Sequence, residues 1–426
     1  MRPGVSNRAA TRWSIRLIPL FIAAAFAVAT YTVVYRLCVR HLYRELAKSG
    51  LTATFLVLYW VFFLLTIASY VRIFVTAQIN CGLVPLIQPR EQPVVVEQAG
   101  KKEPFIKCPA KGSSSVFAKR PNKSRGRDPE RNPWVPPDQD PDSPGLEAFY
   151  SKDVFACEPD GRPKWCSDCR QWKPDRAHHS SELGRCVRKM DHLCPWVGGM
   201  VSETSFNFFL QFTVYTFCLC VMCVSFCAYA MHQQKIRGSK VDGWYIAVVV
   251  IASIFALFTL AMSMTTARLI LTNTTSIDVL RKSQITLLAV RIPRNTPTTE
   301  AFPTVSYPLQ RPPRSMSDAS HTRSSSDRDP SRDQRATKKF AVLRTEPNEN
   351  PWDLGFWGNW KSVMGNNVVE WLLPIRHSPC CNHESMESDY QLGPCFARLK
   401  KRFGLPELDG DVDGVVEMHD TAMLAP

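Results

Sequence analysis

Four long runs along the chain contain no charged residue. They occupy residues 17–35, 51–71, 208–231 and 243–267, and charged side chains such as Arg36, Arg72 and Arg268 bound them sharply. A helix of about 20 apolar residues crosses the hydrocarbon core of a bilayer, and buried helices of water-soluble proteins rarely run this long without a charge. We therefore predict four transmembrane helices and the fold class of an α-helical multi-pass membrane protein.

The first run could instead be a secretory signal peptide, because several arginines precede it. The run is longer than a typical signal core, and no clear small-residue cleavage site follows it before Arg36. We therefore interpret it as a span. An even number of spans places both termini and the long middle segment on one side of the membrane.

The distribution of Lys and Arg indicates which side this is. A basic stripe of Arg36, Arg40, Arg44 and Lys48 in the first short loop conflicts with the usual bias, whereas residues 72–203 and the chain after 268 are far richer in basic residues. Basic loops favour the cytosolic face. We expect an integral membrane protein with cytosolic N- and C-termini and a cytosolic middle segment, and the organelle is not determined.

Two stretches, 101–145 and 294–339, are dense in Lys, Arg, Pro, Ser and Asp and cannot bury a core. Between the second and third spans, a compact block of Cys, His and aromatic residues indicates a folded module. The chain then divides as follows: 1–16, N-terminus; 17–35 and 51–71, first two spans; 72–145, largely disordered linker; 146–207, cysteine-rich module; 208–231 and 243–267, last two spans; 268–292, a region with a Thr-Ser-Ile-Asp motif; 293–345, disordered; 346–366, an aromatic and asparagine-rich motif; 367–426, C-terminal tail.

Charge and cysteine content refine this interpretation. The 426 residues include 52 Lys and Arg against 38 Asp and Glu, which gives a net charge of +14. The excess lies in linkers beside the spans, where attraction to anionic lipid explains it better than a nucleic-acid partner, so we expect no nucleic acid. The 15 cysteines are odd in number and four lie inside the third span, so reduced thiols fit better than a disulfide framework.

The cysteine-rich module contains a candidate metal site. Cys166 and Cys169 have the Cys-x2-Cys spacing that supplies two thiolates to one ion, and a later histidine and Cys186 complete four ligands of the structural zinc kind. Both His178 and His179 are available. Spacing alone does not choose between them.

A second group of residues, Asp191, His192 and Cys194, is more typical of an activated nucleophile than of a metal site. His192 can take the Cys194 proton or stabilise the thiolate, and Asp191 can orient the imidazole, as in activated nucleophiles generally. Further zinc ligation by His192 and Cys194 is the alternative, but it would need Cys157 or His178 at unusual spacings, so the nucleophile is favoured. A thiol a few residues before a span can reach an acyl chain in the bilayer, which suggests acyl transfer through a thioester.

These residues resemble the DHHC-type protein S-acyltransferases (palmitoyltransferases), and within them the fungal Pfa group. The resemblance covers roughly half of the chain, namely the spans, the cysteine-rich block and the shorter motifs. The matching motifs are "KPDR" (173–176), "CVRKMDHLCPWVGG" (186–199), "TSID" (275–278) and "NPWDLGFWGNW" (350–360).

The resemblance implies two zinc ions, each held by three cysteines and one histidine. One set is complete as Cys166, Cys169, His179 and Cys186. The positions of the other set are occupied by residues that cannot supply three cysteines and one histidine: Ser180, Leu183, Leu193 and Met200. Because all four are missing together, we expect one zinc ion, with Leu193 and Met200 filling part of the second site by apolar packing.

The resemblance also implies the reaction. Cys194 would attack the thioester of a long-chain acyl-CoA such as palmitoyl-CoA, with His192 as base and Asp191 as its orienter, and the acyl group would then pass to a cysteine of a membrane-associated protein. Lys173, Arg176 and Arg188 are candidates for the CoA phosphates. Because the signature is altered, a zinc-containing membrane scaffold with impaired catalysis is the alternative function.

Overall fold

The structure, a computed structural model, describes residues 5–86, 145–280, 285–297, 299–307 and 338–405. The disorder expected for most of 72–145 and 293–345 therefore falls largely outside the described residues. Its elements in chain order are α1 (Val5–Thr30), a π-helix (Tyr31–Glu45), α2 (Ser49–Ile79), α3 (Glu147–Tyr150), β1 (Val154–Ala156), β2 (Trp165–Cys166), β3 (Gln171–Trp172), β4 (His178–Ser180), β5 (Arg185–Val187), β6 (His192–Cys194), a 3-10 turn (Pro195–Val197), β7 (Gly199–Val201), α4 (Phe206–Ile236), α5 (Gly243–Leu271), α6 (Ser276–Leu280), β8 (Leu287–Ile292), β9 (Thr304–Tyr307), β10 (Lys338–Arg344), α7 (Phe356–Met364), α8 (Val368–Leu372), a 3-10 turn (Pro379–Cys381) and α9 (Pro394–Arg402).

Four helices are long and apolar enough to cross a membrane, as predicted. They are Leu17–Glu45, Ser49–Ile79, Phe206–Ile236 and Gly243–Leu271. Each extends beyond its uncharged run, because a helix continues through polar end residues until a turn stops it. At one end of the bundle, Arg36 forms an ion pair of 2.6 Å with Asp242, the N-cap residue of α5. The four helices fit a multi-pass membrane protein.

A four-stranded antiparallel sheet in the order β1-β8-β10-β9 corrects one expectation. β9 and β10 lie within 293–345, which was expected to be disordered. Local composition hides these strands because they pair with segments distant in sequence. The side chains in the middle of β10 are buried on both faces of the sheet, and β9 contributes the buried Tyr307. Phe340 and Tyr307 pack with Phe149 and Trp172 on one face, and α9 covers the other through residues such as Leu399.

The cysteine-rich block consists of three two-stranded hairpins, β2–β3, β4–β5 and β6–β7. The chain leaving α2 runs alongside β5. Val84 N–H donates to Cys186 O (2.9 Å), and Arg188 N–H donates to Gly82 O (2.8 Å). These bonds hold the block against the end of α2.

The C-terminal part of the chain folds back onto the block. The Glu203 carboxylate, which is buried, contacts His383 Nε2 at 3.1 Å and accepts a hydrogen bond from the Tyr390 hydroxyl at 2.6 Å. Asn207 donates to the carbonyl of Arg376. The tail is thus part of the folded unit around the site.

Candidate active site

The β6–β7 hairpin lies directly against α2, and two glycines allow this approach. Gly198 has a φ of +73°, and a Cβ there would lie 2.6 Å from the ring of Phe74. A Cβ on Gly199 would lie 2.8 Å from the Cβ of Ala77. At Gly198 only glycine suits both the left-handed backbone and the short distance, and at Gly199 the lack of a Cβ allows the close approach. Since Cys194 pairs with Gly199 in this hairpin, the glycines fix the thiol near the end of a membrane helix.

The structure brings Asp191, His192 and Cys194 together. His192 Nδ1 lies 2.6 Å from Asp191 Oδ2. The other ring nitrogen, Nε2, is buried and has no hydrogen-bond partner among the described residues. Cys194 itself is only 4% exposed. A ring oriented by a carboxylate on one side, with its other nitrogen free, can exchange a proton with a neighbouring thiol or with substrate.

The electrostatics of His192 favour the imidazolium. Burial lowers its pKa, but the hydrogen bond with Asp191 and the charge interactions with Asp191 and Cys194 outweigh this and raise the pKa of His192 to about 9. The ring therefore carries its proton at neutral pH. An imidazolium next to a cysteine stabilises the thiolate form of that cysteine.

Asp191 is held by more than the histidine. Its Oδ1 accepts a hydrogen bond of 2.5 Å from Ser276 N–H, at the start of α6, and Asp191 N–H donates to Val201 O. The ring of Phe209, in the first turn of α4, meets the His192 ring edge-on at 5.5 Å. Ser276 and Phe209 are site residues that the sequence did not single out, although Ser276 lies inside the Thr-Ser-Ile-Asp motif.

The four expected metal ligands also come together. The ligand atoms of Cys166, Cys169, His179 and Cys186 all lie within 4.8 Å of one another. His179 Nδ1 is 3.5 Å from Cys166 Sγ and 3.3 Å from Cys169 Sγ, and the Sγ atoms of Cys169 and Cys186 are 3.7 Å apart. Zinc bonds of about 2.3 Å to sulfur and 2.0 Å to nitrogen in a tetrahedron give very similar separations. The cluster fits a zinc ion, with His179 rather than His178 as the histidine.

An apolar cluster occupies the place expected for a second metal. Leu183, Leu193 and Met200 pack with Cys81, Val187 and Met190, and Ser180 Oγ accepts a hydrogen bond from Leu183 N–H. Among the described residues, the set Cys166, Cys169, His179 and Cys186 is the one group of ligand atoms close enough to hold an ion. The residues present here do not fit a second zinc.

A polar cavity of about 370 Å³ lies between the block, the end of α5 and the tail. Lys164, Lys173 and Arg268 line it, and none of them forms an ion pair within the described part of the chain. Of the three lining acids, Asp278 and Glu349 are paired with arginines, and Asp353 is not, so the unpaired cations outnumber the unpaired carboxylates. Free positive charge therefore faces the cavity.

Two of the three basic residues expected to bind phosphate border this cavity. Lys173 and Arg176 line it, but Arg176 is buried and already bound to Asn273 and to Asp278. Arg188 does not line the cavity and lies 3.7 Å from Asp389. Lys164 and Arg268 are lining cations that sequence reasoning missed, because they lie outside the motifs.

A second cavity, of about 560 Å³, lies between α1 and α2. Ile22, Phe26, Phe63, Ile67 and Tyr70 are among the residues that line it. Tyr70 also packs against the cluster that contains Cys194. This volume lies within the range of small-molecule sites, and its lining suits an apolar chain.

Comparisons with known proteins agree with this geometry. Residues 160–283 match a family model described as DHHC palmitoyltransferase. The chain is 38% identical to "Palmitoyltransferase pfa5" of Aspergillus fumigatus over 92% of its own length and 90% of that protein. It is 35% identical to "Palmitoyltransferase pfa5" of Emericella nidulans, over 95% and 88% of the two chains. The chain belongs to the DHHC palmitoyltransferase family.

A more distant relative belongs to an animal. "Palmitoyltransferase ZDHHC15" of Rattus norvegicus is 27% identical over 54% of this chain and 52% of that protein. The DHHC family match includes the metal cluster, the Asp191–Cys194 hairpin, α4, α5 and α6. Membership in the DHHC family makes the chain a protein S-acyltransferase, as its motifs predicted.

Proposed function

We propose that this DHHC enzyme moves a palmitoyl group from palmitoyl-CoA to cysteines of membrane-associated proteins through a thioester on Cys194. The observation that carries the proposal is the Asp191–His192 hydrogen bond of 2.6 Å beside a buried cysteine at the end of the helix bundle. In this proposal the thiol lies at the end of four membrane helices, within reach of an acyl chain in the bilayer, and the termini and the hairpin block would lie on the cytosolic side.

In the first step, the Cys194 thiolate attacks the carbonyl carbon of the thioester. The bond between that carbon and the CoA sulfur breaks, and the leaving sulfur takes the proton from the His192 imidazolium. In the second step, neutral His192 removes the proton of an acceptor thiol, which attacks the Cys194 thioester and releases the Cys194 thiolate. Asp191 holds the ring in place throughout.

Zinc has a structural part in this scheme. Cys166, Cys169, His179 and Cys186 would hold one ion, which cross-links β2, the following turn, β4 and β5. A closed site of four protein ligands supplies folding free energy rather than a reactive position. The acyl transfer steps are carried by the side chains of the β6 hairpin.

The two cavities supply sites for the two ends of palmitoyl-CoA. Lys164, Lys173 and Arg268 would bind its phosphates with charge-assisted hydrogen bonds, since none of the three forms an ion pair among the described residues. The apolar cavity between α1 and α2 would accept the acyl chain, because its Tyr70 end packs near Cys194. Arg188 is then not part of the CoA site.

Acyl trapping tests the reaction. Purified enzyme in detergent is incubated with radiolabelled palmitoyl-CoA, and hydroxylamine-sensitive label on the protein is counted. We expect label on the wild type and none on Cys194→Ser, whereas Cys395→Ser, altered at a buried thiol far along the chain, retains it. A wild type without hydroxylamine-sensitive label, or a labelled Cys194→Ser, would exclude the proposed intermediate.

A charge-neutralising variant tests the CoA site. Lys173→Ala should raise the palmitoyl-CoA concentration needed for half-maximal acyl-enzyme formation by about 10-fold or more, because one charged hydrogen bond contributes about 1.5–3 kcal/mol. Lys401→Ala removes an exposed charge on α9 and should leave this concentration unchanged. Equal effects of the two substitutions would show that Lys173 contributes only general positive charge.

A further inference from the structure

Tyr70 carries a buried hydroxyl that makes no hydrogen bond with any described residue. Its ring is held by aromatic neighbours, with its centre 5.2 Å from that of Phe212 and 6.1 Å from that of Phe74. Taking a hydroxyl out of water without replacing its hydrogen bond costs free energy. A donor held in this way is available to a group that enters the site from outside.

Tyr70 lies on the face of α2 that holds the β6–β7 hairpin. Four and eight residues further along this face, Phe74 lies against Gly198, and Gln78 Nε2 donates a hydrogen bond of 2.6 Å to the Gly198 carbonyl. Tyr70 itself packs against the apolar cluster that contains Cys194. The charge of a Cys194 thiolate reaches the Tyr70 hydroxyl, although the two groups make no hydrogen bond with each other. The hydroxyl therefore lies on the side of the nucleophile and is not occupied by it.

The same side chain lines the apolar cavity between α1 and α2. Tyr70 comes two residues before Arg72, the charge that ends the uncharged run 51–71, so it lies just inside the predicted edge of the hydrocarbon. In an acyl-CoA, the thioester carbonyl is the first polar group beyond the apolar chain. A chain in this cavity with its carbonyl carbon at Cys194 would therefore have its carbonyl oxygen in the region of the Tyr70 hydroxyl.

Two buried N–H groups near Cys194 are less suited to this oxygen. Trp360 Nε1 has no hydrogen-bond partner in the described part of the chain, and its ring packs against the cluster that contains Cys194, but Trp360 does not line the apolar cavity. His192 supplies the proton for the leaving sulfur in the proposed reaction. Tyr70 is the donor that borders both the cavity and the thiol.

We propose that Tyr70 is a further catalytic residue, whose hydroxyl stabilises the oxyanion formed during acyl transfer. The inference rests on the proposed function. When the Cys194 thiolate attacks, the carbonyl π electrons move to oxygen, and Tyr70 O–H donates a hydrogen bond to that oxygen while keeping its proton. The same oxyanion forms when the acceptor thiol attacks the Cys194 thioester, so Tyr70 acts in both steps. In apolar surroundings a fixed donor stabilises developing charge strongly.

Tyr70→Phe tests the assignment, because it removes the hydroxyl and keeps the ring. We expect the maximal rate of acyl-enzyme formation, measured in single turnovers with radiolabelled palmitoyl-CoA, to fall about 10²-fold, as loss of one oxyanion donor typically does. The palmitoyl-CoA concentration that gives half the maximal rate should change little, because the hydrogen bond strengthens only as charge develops. Tyr229→Phe removes a hydroxyl bonded to Lys48 at the opposite end of α4 and should keep the wild-type rate.

Infrared spectroscopy separates a hydrogen bond to the substrate from an effect on packing. Cys194 is acylated to completion with palmitoyl-CoA that carries carbon-13 at its carbonyl, and the thioester band is recorded. A hydrogen bond weakens the carbonyl double bond and lowers its stretching frequency. The band should therefore lie at higher frequency in Tyr70→Phe than in the wild type, and Tyr229→Phe should not move it.

Equal maximal rates for Tyr70→Phe and the wild type would overturn the assignment, and so would a slower Tyr70→Phe with the carbonyl band of the wild type. A raised half-maximal concentration at an unchanged maximal rate would also overturn it, because the hydroxyl would then bind only the ground state. If Tyr70→Phe does not elute as a single species, Tyr70 is replaced by a ring-fluorinated tyrosine. Its more acidic hydroxyl should move the band to lower frequency, and an unmoved band would overturn the assignment. Absence of a thioester in the wild type would contradict the proposed function itself, and this role with it.

Discussion

At the scale of single residues, Asp191 does more than orient an imidazole. Both of its carboxylate oxygens are engaged, one by His192 at 2.6 Å and the other by the backbone of Ser276 at 2.5 Å. The residue is 6% exposed, so the carboxylate acts in a medium that screens charge poorly. Burial lowers the pKa of His192, and the hydrogen bond and negative charge of Asp191 raise it.

This leads to a prediction on pH. His192 carries a proton below about pH 9 and loses it above that value, and the proposed reaction needs that proton for the leaving sulfur of CoA. The rate of acyl-enzyme formation should therefore be steady through neutral pH and should decline as the pH rises through about 9. In Asp191→Asn the interactions that raise the pKa of His192 are weaker, so the decline in the rate of acyl-enzyme formation should move to lower pH. At neutral pH this rate should be about 10²-fold or more below that of the wild type.

Single-turnover acylation measured across pH 6 to 10 checks both parts. Asp160→Asn, a change in an exposed carboxylate paired with Arg162, serves as the matched control and should reproduce the wild-type profile. An Asp191→Asn enzyme that is slower at every pH but keeps the alkaline limit of the wild type would show that Asp191 does not set the protonation of His192.

At the scale of elements, the β6–β7 hairpin is positioned by apolar packing as well as by glycines. Leu193 and Met200 are directly paired across it and belong to the apolar cluster with Cys81 and Val187. Met200 is 2% exposed. Removing its side chain would leave a cavity beneath the strand that carries His192 and Cys194, whereas a residue of similar volume would fill the space.

Substitutions of Met200 should therefore show that the volume of its side chain, rather than its thioether, stabilises the protein. Met200→Ala is expected to lower the free energy of unfolding by about 2–5 kcal/mol, and Met200→Leu by less than about 1.5 kcal/mol. Thermal unfolding in detergent, followed with acyl-enzyme formation on the same samples, checks this. Equal midpoints for Met200→Ala and the wild type would mean that the cluster does not support the hairpin.

The elements also show what sequence can predict. The four helices were predictable because a bilayer imposes long uncharged runs. The three cysteine ligands of the metal cluster were predictable because their spacing is local and their residue type is rare, whereas spacing left His178 and His179 as alternatives. Strands β9 and β10 were not, since β10 gains its burial from β8 and from residues 149 and 172, far away in the chain. The loss of the expected second metal was visible in the identities of Leu193 and Met200.

At the scale of the whole molecule, one asparagine joins parts that the sequence keeps far apart. Asn273, with a φ of +47°, accepts hydrogen bonds from Arg176 and Lys189 of the hairpin block and donates one of 2.6 Å to the carbonyl of Trp352 in the tail. Arg176 was expected to bind phosphate, and its burial in this network indicates a mainly structural part. Sequence could not show this, because the partners are 79 to 97 residues away.

The same connectivity makes zinc important for the whole enzyme. The metal cluster joins β2, β4 and β5, and β5 holds the chain that leaves α2. Metal analysis of the purified protein should give about one zinc per chain, with loss of that zinc in Cys186→Ala and retention in His178→Asn, because His179 is the residue in the cluster.

Removal of zinc by a chelator should lower the unfolding temperature and reduce acyl-enzyme formation, although no ligand touches Cys194, since ligand binding and folding share their free energy. Restoring zinc should recover both properties if the polypeptide has not aggregated. Two zinc ions per chain would contradict the replacement of the second site by the apolar cluster. Full activity in protein shown to be zinc-free would contradict a structural role for the first site. The β6–β7 hairpin would then keep its position without a metal that holds the neighbouring hairpins together.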